Sequence, residues 1–256
     1  MKIGVSGLSG FIGSAIKAQV SSDLELVEVS SFSRISASSI SNEIDNLVDS
    51  GVRNFLHLAW PASSLDGDYR TSKRNFDALE KTLAVKRACE KSGLKFYGLG
   101  TGIDRMIDVE SSYSISKFAV RQVFLDDIQH ERISWIRPHY VFDELAWPRF
   151  LNSDPSTPIQ IRNNTPRDFI HIKDVASGIL AIVTQGMLGE VDLGAGKARS
   201  PSELCIALGR RWSIAEKLSP EADSGISEIV ASQSQLLNDL WKAEVTNTIF
   251  GEEDGI

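Results

Sequence analysis

The sequence predicts an α/β protein with a doubly wound, mostly parallel sheet. Short apolar runs of strand character alternate with longer segments whose apolar residues recur at helical spacing. A glycine-rich turn joins the first such strand to the first helix, and strands that alternate with helices build parallel sheets. Beyond Arg137 the alternation gives way to an irregular stretch with several prolines. This change predicts a second, smaller region.

The glycine turn has the pattern of a dinucleotide-binding site. Residues 3–6 form a short apolar run, and apolar residues recur at helical spacing from Phe11 onward. Between them stand Gly7, Gly10 and Gly13. Glycines so placed allow a tight turn, close approach of backbone N–H groups to a phosphate, and close packing of helix on strand. The helix start adds a partial positive charge for a pyrophosphate; a purely structural turn is the alternative.

The tip of the second strand bears on the choice of cofactor. Residues 24–34 alternate in their first half and end in Ser33 and Arg34. An acidic residue at this tip would bind a ribose 2′-hydroxyl, whereas a small polar residue followed by arginine accommodates a 2′-phosphate. We therefore expect NADP (NADPH) rather than NAD. The alternative is a solvated arginine at the end of a strand.

The remaining elements follow in order along the chain. Strands are predicted over residues 54–59, 94–99, 133–137, 168–172 and 189–193, and helices near 42–50, from 75, from 113, and over 173–183, 203–211 and 233–241. A capping box at residues 200–203 opens one helix, and residues 252–256 read as a loose acidic tail. We expect a dinucleotide-binding Rossmann domain over 1–140 and a substrate-binding region over 141–256, with some interleaving at about 167–195.

Composition excludes several classes of function. The chain has 256 residues and a net charge of −7, with acidic and basic residues mixed along it, which argues against nucleic acid as the main partner. No apolar stretch has the length of a membrane span and no secretory leader is evident, so we expect a cytoplasmic protein. Cys89 and Cys205 lack metal-ligand or redox spacing, so we expect buried thiols and no metal.

One pair of side chains is suited to proton transfer. Tyr113 and Lys117 stand four residues apart on one face of a predicted helix. A nearby ammonium lowers the pKa of a phenol, ordinarily about 10, so the pair could donate a proton to a carbonyl or accept one from an alcohol. Thr101 follows the preceding predicted strand, where open α/β sheets bind ligands. Taken alone, the Tyr–Lys spacing is also typical of a surface contact.

Together these motifs resemble the extended short-chain dehydrogenase/reductases, also described as the NAD-dependent epimerase/dehydratase family. The resemblance covers nearly the full chain, and its motifs are Gly7-x-x-Gly10-x-x-Gly13, His57-Leu-Ala59, Thr101 with Tyr113-x-x-x-Lys117, Arg137-Pro138, and Arg167-Asp-Phe-Ile-His-Ile-Lys-Asp174. These enzymes act mostly on nucleotide sugars.

The resemblance implies roles for individual residues. Tyr113 would be the acid/base, Lys117 would lower its pKa and hold the nicotinamide ribose, and Thr101 would orient the substrate oxygen. The cofactor-binding residues would be Gly7, Ser9, Gly10, Phe11, Ile12, Gly13, Ser33, Arg34, Leu58, Ala59, Tyr113, Lys117, Pro138 and His139. The substrate-binding residues would be Asn75, Thr101 and Arg167. Arg167 would face a diphosphate, which a guanidinium suits; a structural pair with Asp168 or Asp174 is the alternative.

Departures from the family pattern narrow the expected activity. Gly102 and Ile103 follow Thr101 where dehydratases have an acidic pair, and Ser33 replaces the acidic residue that simple 4-epimerases generally carry. The expected function is therefore NADPH-dependent reduction of a nucleotide-activated 4-keto-6-deoxy sugar in deoxysugar or polysaccharide biosynthesis. A nucleotide-sugar 4-epimerase with tightly bound NAD, a reductase of other ketones or aldehydes, and a non-catalytic dinucleotide sensor remain alternatives. The resemblance also implies a homodimer formed through the helices from 75 and from 113.

Overall fold

A six-stranded sheet is the central element of the fold. The structure is a computed structural model that describes residues 1–29, 36–61, 69–105, 111–143, 156, 158–161, 163–214 and 240–251. The strands of the sheet are β1 (Lys2–Ser6), β2 (Glu25–Glu28), β3 (Asn54–His57), β4 (Lys95–Leu99), β5 (Ser134–Pro138) and, later in the chain, β9 (Gly189–Leu193). Their order is β2-β1-β3-β4-β5-β9, with parallel pairing from β2 through β5. The predicted α/β fold with a mostly parallel sheet is confirmed.

Helices connect the parallel strands. They are α1 (Phe11–Gln19), α2 (Ala37–Asp49), α3 (Arg74–Lys91) and α4 (Ser112–Gln129). Serine side chains begin two of them: Ser36 accepts a hydrogen bond from the Ser39 N–H, and Ser111 accepts one from the Ser114 N–H. The helix expected near 42–50 thus begins earlier, at Ala37, because Ser36 caps it.

The main core lies between α2, α3, α4 and one face of the sheet. Buried sheet side chains there are Phe55, Phe96 and Trp135, and the helices contribute Ile40, Ile44, Leu47, Val85, Ala88, Cys89, Val120, Phe124 and Ile128. The Phe124 ring packs edge-on against the Phe96 and Trp135 rings. This core fixes the carboxyl ends of β3 and β4 relative to the start of α4.

The sheet order changes direction at β1. β2 pairs with one edge of β1 and β3 with the other, and β2 is the edge strand among the described residues. Where the strand order reverses in this way, a crevice opens beyond the carboxyl ends of the strands. The glycine turn follows β1 at this point, and Leu58 and Ala59 follow β3.

The later part of the chain adds two small sheets. The first has the order β10-β8-β6, formed by β6 (Tyr140–Phe142), β8 (Arg167–His171) and β10 (Ala198–Arg199); the second pairs β7 (Ile159–Ile161) with β11 (Trp212–Ile214). The helices are α5 (Ile172–Gln185), α6 (Pro201–Ala207) and α7 (Glu244–Ile249). The predicted capping box is present, with Ser200 and Glu203 each bonded to the other's backbone N–H.

Some boundaries in this part differ from expectation. The helix expected over 203–211 ends at Ala207, with Leu208 as its C-cap. The strand β11 that follows over 212–214 was not predicted, and its pairing with β7 places it in a sheet. Most of the helix expected over 233–241 and the tail at 252–256 lie outside the described residues. The last described helix is α7.

The chain divides into two compact units. The first comprises Met1–Arg137 and Ile179–Val191, and the second comprises Pro138–Gly178 and Asp192–Ile256. A separate apolar cluster in the second unit contains Phe142, Ile159, Ile161, Phe169, Leu204 and Cys205. Among the described helices, none combines the length and the apolar character that crossing a membrane requires.

Candidate active site

The glycine turn is shaped by contacts that only glycine permits. Gly7 has φ +81°, and a Cβ there would lie 2.7 Å from the Ala59 backbone nitrogen. A Cβ on Gly13 would lie 2.4 Å from the Gly7 carbonyl oxygen and 2.6 Å from the Leu8 Cα. These two glycines therefore let the turn approach the end of β3 and let α1 pack against the turn.

Gly10 stands apart from the other two glycines. A Cβ at Gly10 would meet only the Gly7 carbonyl oxygen, at 3.2 Å, and Ser9, Gly10 and Phe11 are all exposed. Gly10 is also the N-cap of α1, where no side chain caps the helix and the first turn carries no acidic residue. The N-terminus of α1 is thus open to an anion, and the N–H groups of a first turn have no partner within their helix.

The two residues expected to select NADP, at the tip of the second strand, are not part of the structural description. Ser33 and Arg34 are outside the described residues. The preference that they predict therefore stays a prediction from sequence.

His57, at the end of β3, is a structural link beneath this turn. Its Nδ1 lies 2.7 Å from the Ser6 Oγ and its Nε2 lies 2.9 Å from the Thr82 Oγ1. Burial, and secondly the charge of Lys117, lower the His57 pKa to about 3. A neutral imidazole therefore ties β1 to α3, and the Leu58 N–H donates to the Ser6 carbonyl at 3.0 Å, which sets Leu58 and Ala59 beside the turn.

Tyr113 and Lys117 project from the first turns of α4 towards the end of β4. The Thr101 hydroxyl lies near enough to the Tyr113 phenol to lower its pKa, so the structure brings these two predicted residues together. The Lys117 Nζ donates to the Leu99 carbonyl oxygen at 2.7 Å. Both side chains therefore engage the short segment from Leu99 to Thr101 that leaves β4.

The pKa of Tyr113 departs from its ordinary value in an unexpected direction. Burial raises the Tyr113 pKa well above 10, the neighbouring Tyr69 and Asp104 raise it further, and the Thr101 hydroxyl lowers it. The Tyr–Lys spacing predicts the opposite direction. The reason is that burial of the phenol dominates, and Lys117, with a pKa lowered to about 7, has lost its proton before the phenol titrates. In the protein by itself the phenol is therefore fully protonated at neutral pH.

Lys117 is a buried cation with an aromatic neighbour. Its ammonium lies 3.7 Å from the centroid of the Trp60 ring, a favourable cation–π distance. Burial lowers the Lys117 pKa to about 7, and the negative charge of Asp104 opposes this shift. Lys117 thus changes charge near neutral pH.

Asn75 holds the aromatic side of the site. It is completely buried; its Oδ1 accepts from the Trp60 Nε1 at 2.9 Å, and its Nδ2 donates to the Tyr69 and Ser72 carbonyls and to the Ser112 Oγ. The side chain thus already uses its oxygen and both amide protons. In this structure Asn75 thus holds Trp60, Tyr69 and Ser112 in place, and the substrate contact expected from sequence stays a prediction.

The two aromatic residues that Asn75 holds, Trp60 and Tyr69, pack against the phenol of Tyr113. The rings of Trp60 and Tyr69 meet the Tyr113 ring edge-on, with centroids 6.2 Å and 5.3 Å away. The sequence identified Trp60 only as the end of a strand, although its place directly after Ala59 put it at the edge where ligands bind.

The remaining predicted residues belong to the second unit. Pro138 ends β5, and the His139 N–H donates to the Leu193 carbonyl while its Nε2 lies 3.7 Å from the Asp192 carboxylate. Arg167 begins β8 opposite Arg199 and donates to the Pro166 carbonyl at 2.9 Å.

The acidic partners considered for Arg167 have other contacts. Asp168 accepts from the Ala195 and Gly196 N–H groups, and Asp174 accepts from the N–H groups of Val245 and Thr246 at the start of α7. Both carboxylates therefore fasten backbone segments of the second unit.

The fold is shared with solved nucleotide-sugar enzymes. UDP-glucose 4-epimerase from Thermus thermophilus, solved with NAD, superposes with a TM-score of 0.68 at 18% identity over 95% of this chain and 94% of that one. The chain has the fold of the extended short-chain dehydrogenase/reductases. An NAD-dependent NDP-hexosamine 5,6-dehydratase of tunicamycin biosynthesis gives a TM-score of 0.66 at 19% identity, with 99% and 92% of the two chains covered.

A reductase is also among these neighbours. A dTDP-4-dehydrorhamnose reductase from Clostridium acetobutylicum gives a TM-score of 0.64 at 11% identity, with 84% and 83% covered. The sequence matches no protein-family model and no curated protein. At these identities the likeness confirms the predicted fold.

Proposed function

We propose that this protein is an NADPH-dependent oxidoreductase of the extended short-chain dehydrogenase/reductase type, and that it reduces a nucleotide-activated 4-keto-6-deoxy sugar. The observation that carries the proposal is the cluster at the end of β4. There the Thr101 hydroxyl lies near enough to the Tyr113 phenol to lower its pKa, and the buried ammonium of Lys117 donates to the Leu99 carbonyl. A proton donor, an orienting hydroxyl and a cation thus meet one strand end, beside the strand ends that carry the glycine turn.

The residues around the turn fit a dinucleotide. The space that a Cβ on Gly10 would take stays open to the outside, and the start of α1 offers N–H groups with no competing acidic side chain. We propose that Gly7 to Gly13 hold the pyrophosphate and that Leu58, Ala59, Pro138 and His139 line the cofactor. A bound nicotinamide dinucleotide supplies the hydride. Ser33 and Arg34 in the sequence support NADPH over NADH.

The proton of the reaction would then come from a side chain of the protein. The Tyr113 phenol is protonated at neutral pH, which is the form that a general acid requires. It would donate its proton to the oxygen of the C4 carbonyl as this oxygen gains charge, and Thr101 would hold the same oxygen in line. Lys117, when protonated, would stabilise the phenolate left behind.

The substrate class follows from the neighbours and from Arg167. Solved relatives with this fold include enzymes bound to UDP-glucose and to UDP-N-acetylmuramic acid. Arg167 is partly exposed at the start of β8, and a guanidinium suits a diphosphate. These two observations support a nucleotide sugar over a simple ketone.

The proposal is tested first by cofactor binding and turnover. In calorimetry the wild type should prefer NADPH over NADH by about tenfold or more, which is roughly 1.4 kcal/mol, and Arg34→Ala should reduce this preference. With a dTDP- or CDP-linked 4-keto-6-deoxyhexose, NADPH absorbance should fall with turnover. Tyr113→Phe should lower kcat roughly 100-fold to 10,000-fold.

The control is Tyr97→Phe, which removes the hydroxyl of another buried tyrosine, one bonded to Asn54, and should keep kcat. Tightly bound NAD in the purified protein, together with interconversion of a UDP-sugar and its C4 epimer, would replace the reductase by the epimerase. Cofactor binding without turnover of any keto sugar would favour the sensor.

A further inference from the structure

Asp104 anchors the loop that follows β4. It is almost fully buried. Its Oδ2 accepts from the Thr101 N–H at 3.1 Å and from the Trp135 Nε1 at 2.9 Å, and its Oδ1 accepts from the Arg137 Nε at 2.9 Å. All three partners are donors, which favours the ionised carboxylate, whereas burial raises the Asp104 pKa above its ordinary value.

Gly100 makes room for this carboxylate. A Cβ on Gly100 would lie 2.4 Å from the Asp104 Oδ2 and 2.6 Å from the Trp135 Nε1. The Gly100 N–H in turn donates to the Ile136 carbonyl at 2.7 Å. Chain and carboxylate therefore pack directly against each other at this strand end.

A wider set of charges surrounds Asp104. Arg137 on β5 also donates to the Gly102 carbonyl, and Arg121 on α4 lies 3.8 Å from the Asp104 Oδ1. Glu190 on β9 pairs with Arg121 at 2.7 Å and with Arg105 at 2.5 Å, and lies 3.9 Å from Arg137. Three guanidinium groups thus face two carboxylates.

The segment that Asp104 holds also carries the contacts of the reacting groups. The Thr101 hydroxyl lies near the Tyr113 phenol and lowers its pKa, and the Leu99 carbonyl accepts from the Lys117 ammonium. The carboxylate therefore acts on both groups through one short piece of backbone. None of its hydrogen-bond partners is Tyr113 or Lys117, so besides the backbone only the field of its charge reaches them.

We infer that Asp104 is a positioning residue of the proposed reaction: it fixes Thr101 for the Tyr113 phenol and sets the local field at Lys117. This inference rests on the proposed function. The charge of Asp104 raises the pKa of both Tyr113 and Lys117. The other groups that face this pair are Tyr69 beside Tyr113, and Trp60 and His57 beside Lys117.

The test compares Asp104→Asn with Asp174→Asn. Asp174 is also a buried carboxylate, and its three acceptor contacts hold the start of α7 in the second unit. Both variants should lose thermal stability, because each leaves buried donors without a charged acceptor. Asp104→Asn alone should lower kcat, on the order of 100-fold because the reacting groups are displaced, while KM changes little.

A second readout does not depend on turnover. In protein labelled with ¹³C at lysine Cε, the Lys117 resonance is assigned by its loss in Lys117→Arg and followed against pH. In Asp104→Asn the Lys117 pKa should fall below the wild-type value of about 7, because removal of a carboxylate leaves the guanidinium groups in excess. In Asp174→Asn it should keep the wild-type value.

The outcomes separate the two claims. An Asp104→Asn protein that loses stability but keeps the Lys117 pKa and kcat would overturn the positioning role. If the wild type turns over no keto sugar, the proposed function fails, and the Lys117 titration still decides whether Asp104 acts on this site. Should Asp104→Asn not fold, Asp104→Glu keeps the charge with a longer reach; it should lower kcat, and an unchanged kcat would overturn the inference.

Discussion

The Lys117 ammonium is buried and has few polar partners. Its ammonium has one backbone carbonyl and one aromatic face as close partners, and burial lowers its pKa to about 7. In the unfolded chain the pKa of a lysine is about 10.4. Between these two values the unfolded chain holds a proton that the folded protein does not, so the free energy of unfolding rises with pH.

Replacement of Lys117 should therefore stabilise the protein most in acid. Lys117→Met should raise the free energy of unfolding relative to the wild type at pH 6, where the folded wild type carries a buried ammonium. The difference between variant and wild type should shrink by on the order of 2 to 3 kcal/mol between pH 6 and pH 9. Urea unfolding at a series of pH values measures it.

A surface lysine supplies the control for this experiment. Lys91 is exposed in the last turn of α3, and Lys91→Met should give a difference that does not depend on pH. A pH-independent difference for Lys117→Met as well would contradict the lowered pKa.

At the scale of elements, the glycines between β1 and α1 have two different roles: some are required for packing, and one leaves room for a ligand. At Gly7 and Gly13 a Cβ would clash with backbone atoms, whereas a Cβ on Gly10 would contact only one oxygen, at 3.2 Å. Two substitutions that look equivalent in sequence should thus have different consequences.

Gly13→Ala should destabilise the protein by roughly 1 to 3 kcal/mol, because its methyl group would overlap the Gly7 and Leu8 backbone. Gly10→Ala should change stability by less than about 1 kcal/mol but lower the affinity for NADPH by about tenfold or more, since its methyl group enters the space proposed for the pyrophosphate. Thermal unfolding without cofactor measures the change in stability, and calorimetry with NADPH measures the change in affinity.

A Gly10→Ala protein that binds NADPH as tightly as the wild type would refute the proposed place of the pyrophosphate.

The elements that the sequence predicts well are those with local signals. β1, α1 and the capping box at Ser200 follow from apolar periodicity, glycine positions and helix caps, all of which act over a few residues. The strand β11 was not predicted, because its pairing with β7 decides it. Such pairing joins residues far apart in the chain.

The same division holds within the candidate site. The spacing of Tyr113 and Lys117 and the place of Thr101 after a strand are local patterns, so the sequence predicts them. The contacts of Trp60 and Asp104 arise only when neighbouring strand ends come together, and neither residue belongs to a spaced motif. Likewise, the direction of the Tyr113 pKa shift depends first on burial and then on the charge of the neighbouring Tyr69, which the spacing does not reveal.

At the scale of the whole molecule, the resemblance predicts a homodimer through α3 and α4. Phe76 on α3 and Val123 on α4 are exposed apolar side chains, at 47% and 59% of their full accessible surface. Val123→Glu should therefore shift the protein towards the monomer in light scattering coupled to size exclusion, because a charge would be buried in the interface. Ile206→Glu, at an equally exposed apolar position on α6, is the matched control and should leave the mass unchanged; a wild type that is monomeric at all concentrations would contradict the predicted dimer.

The central claim is that this chain delivers a hydride to C4 of a nucleotide-activated 4-keto-6-deoxy sugar while Tyr113 supplies the proton. The most direct measurement uses NADPH that carries deuterium at both C4 positions of the nicotinamide and follows the product by mass spectrometry and NMR. The account predicts one deuterium at sugar C4 for each NADPH consumed in the wild type, and almost none in Tyr113→Phe over the same time. A product without deuterium, or C4 epimerisation of a UDP-sugar with no net consumption of cofactor, would contradict it.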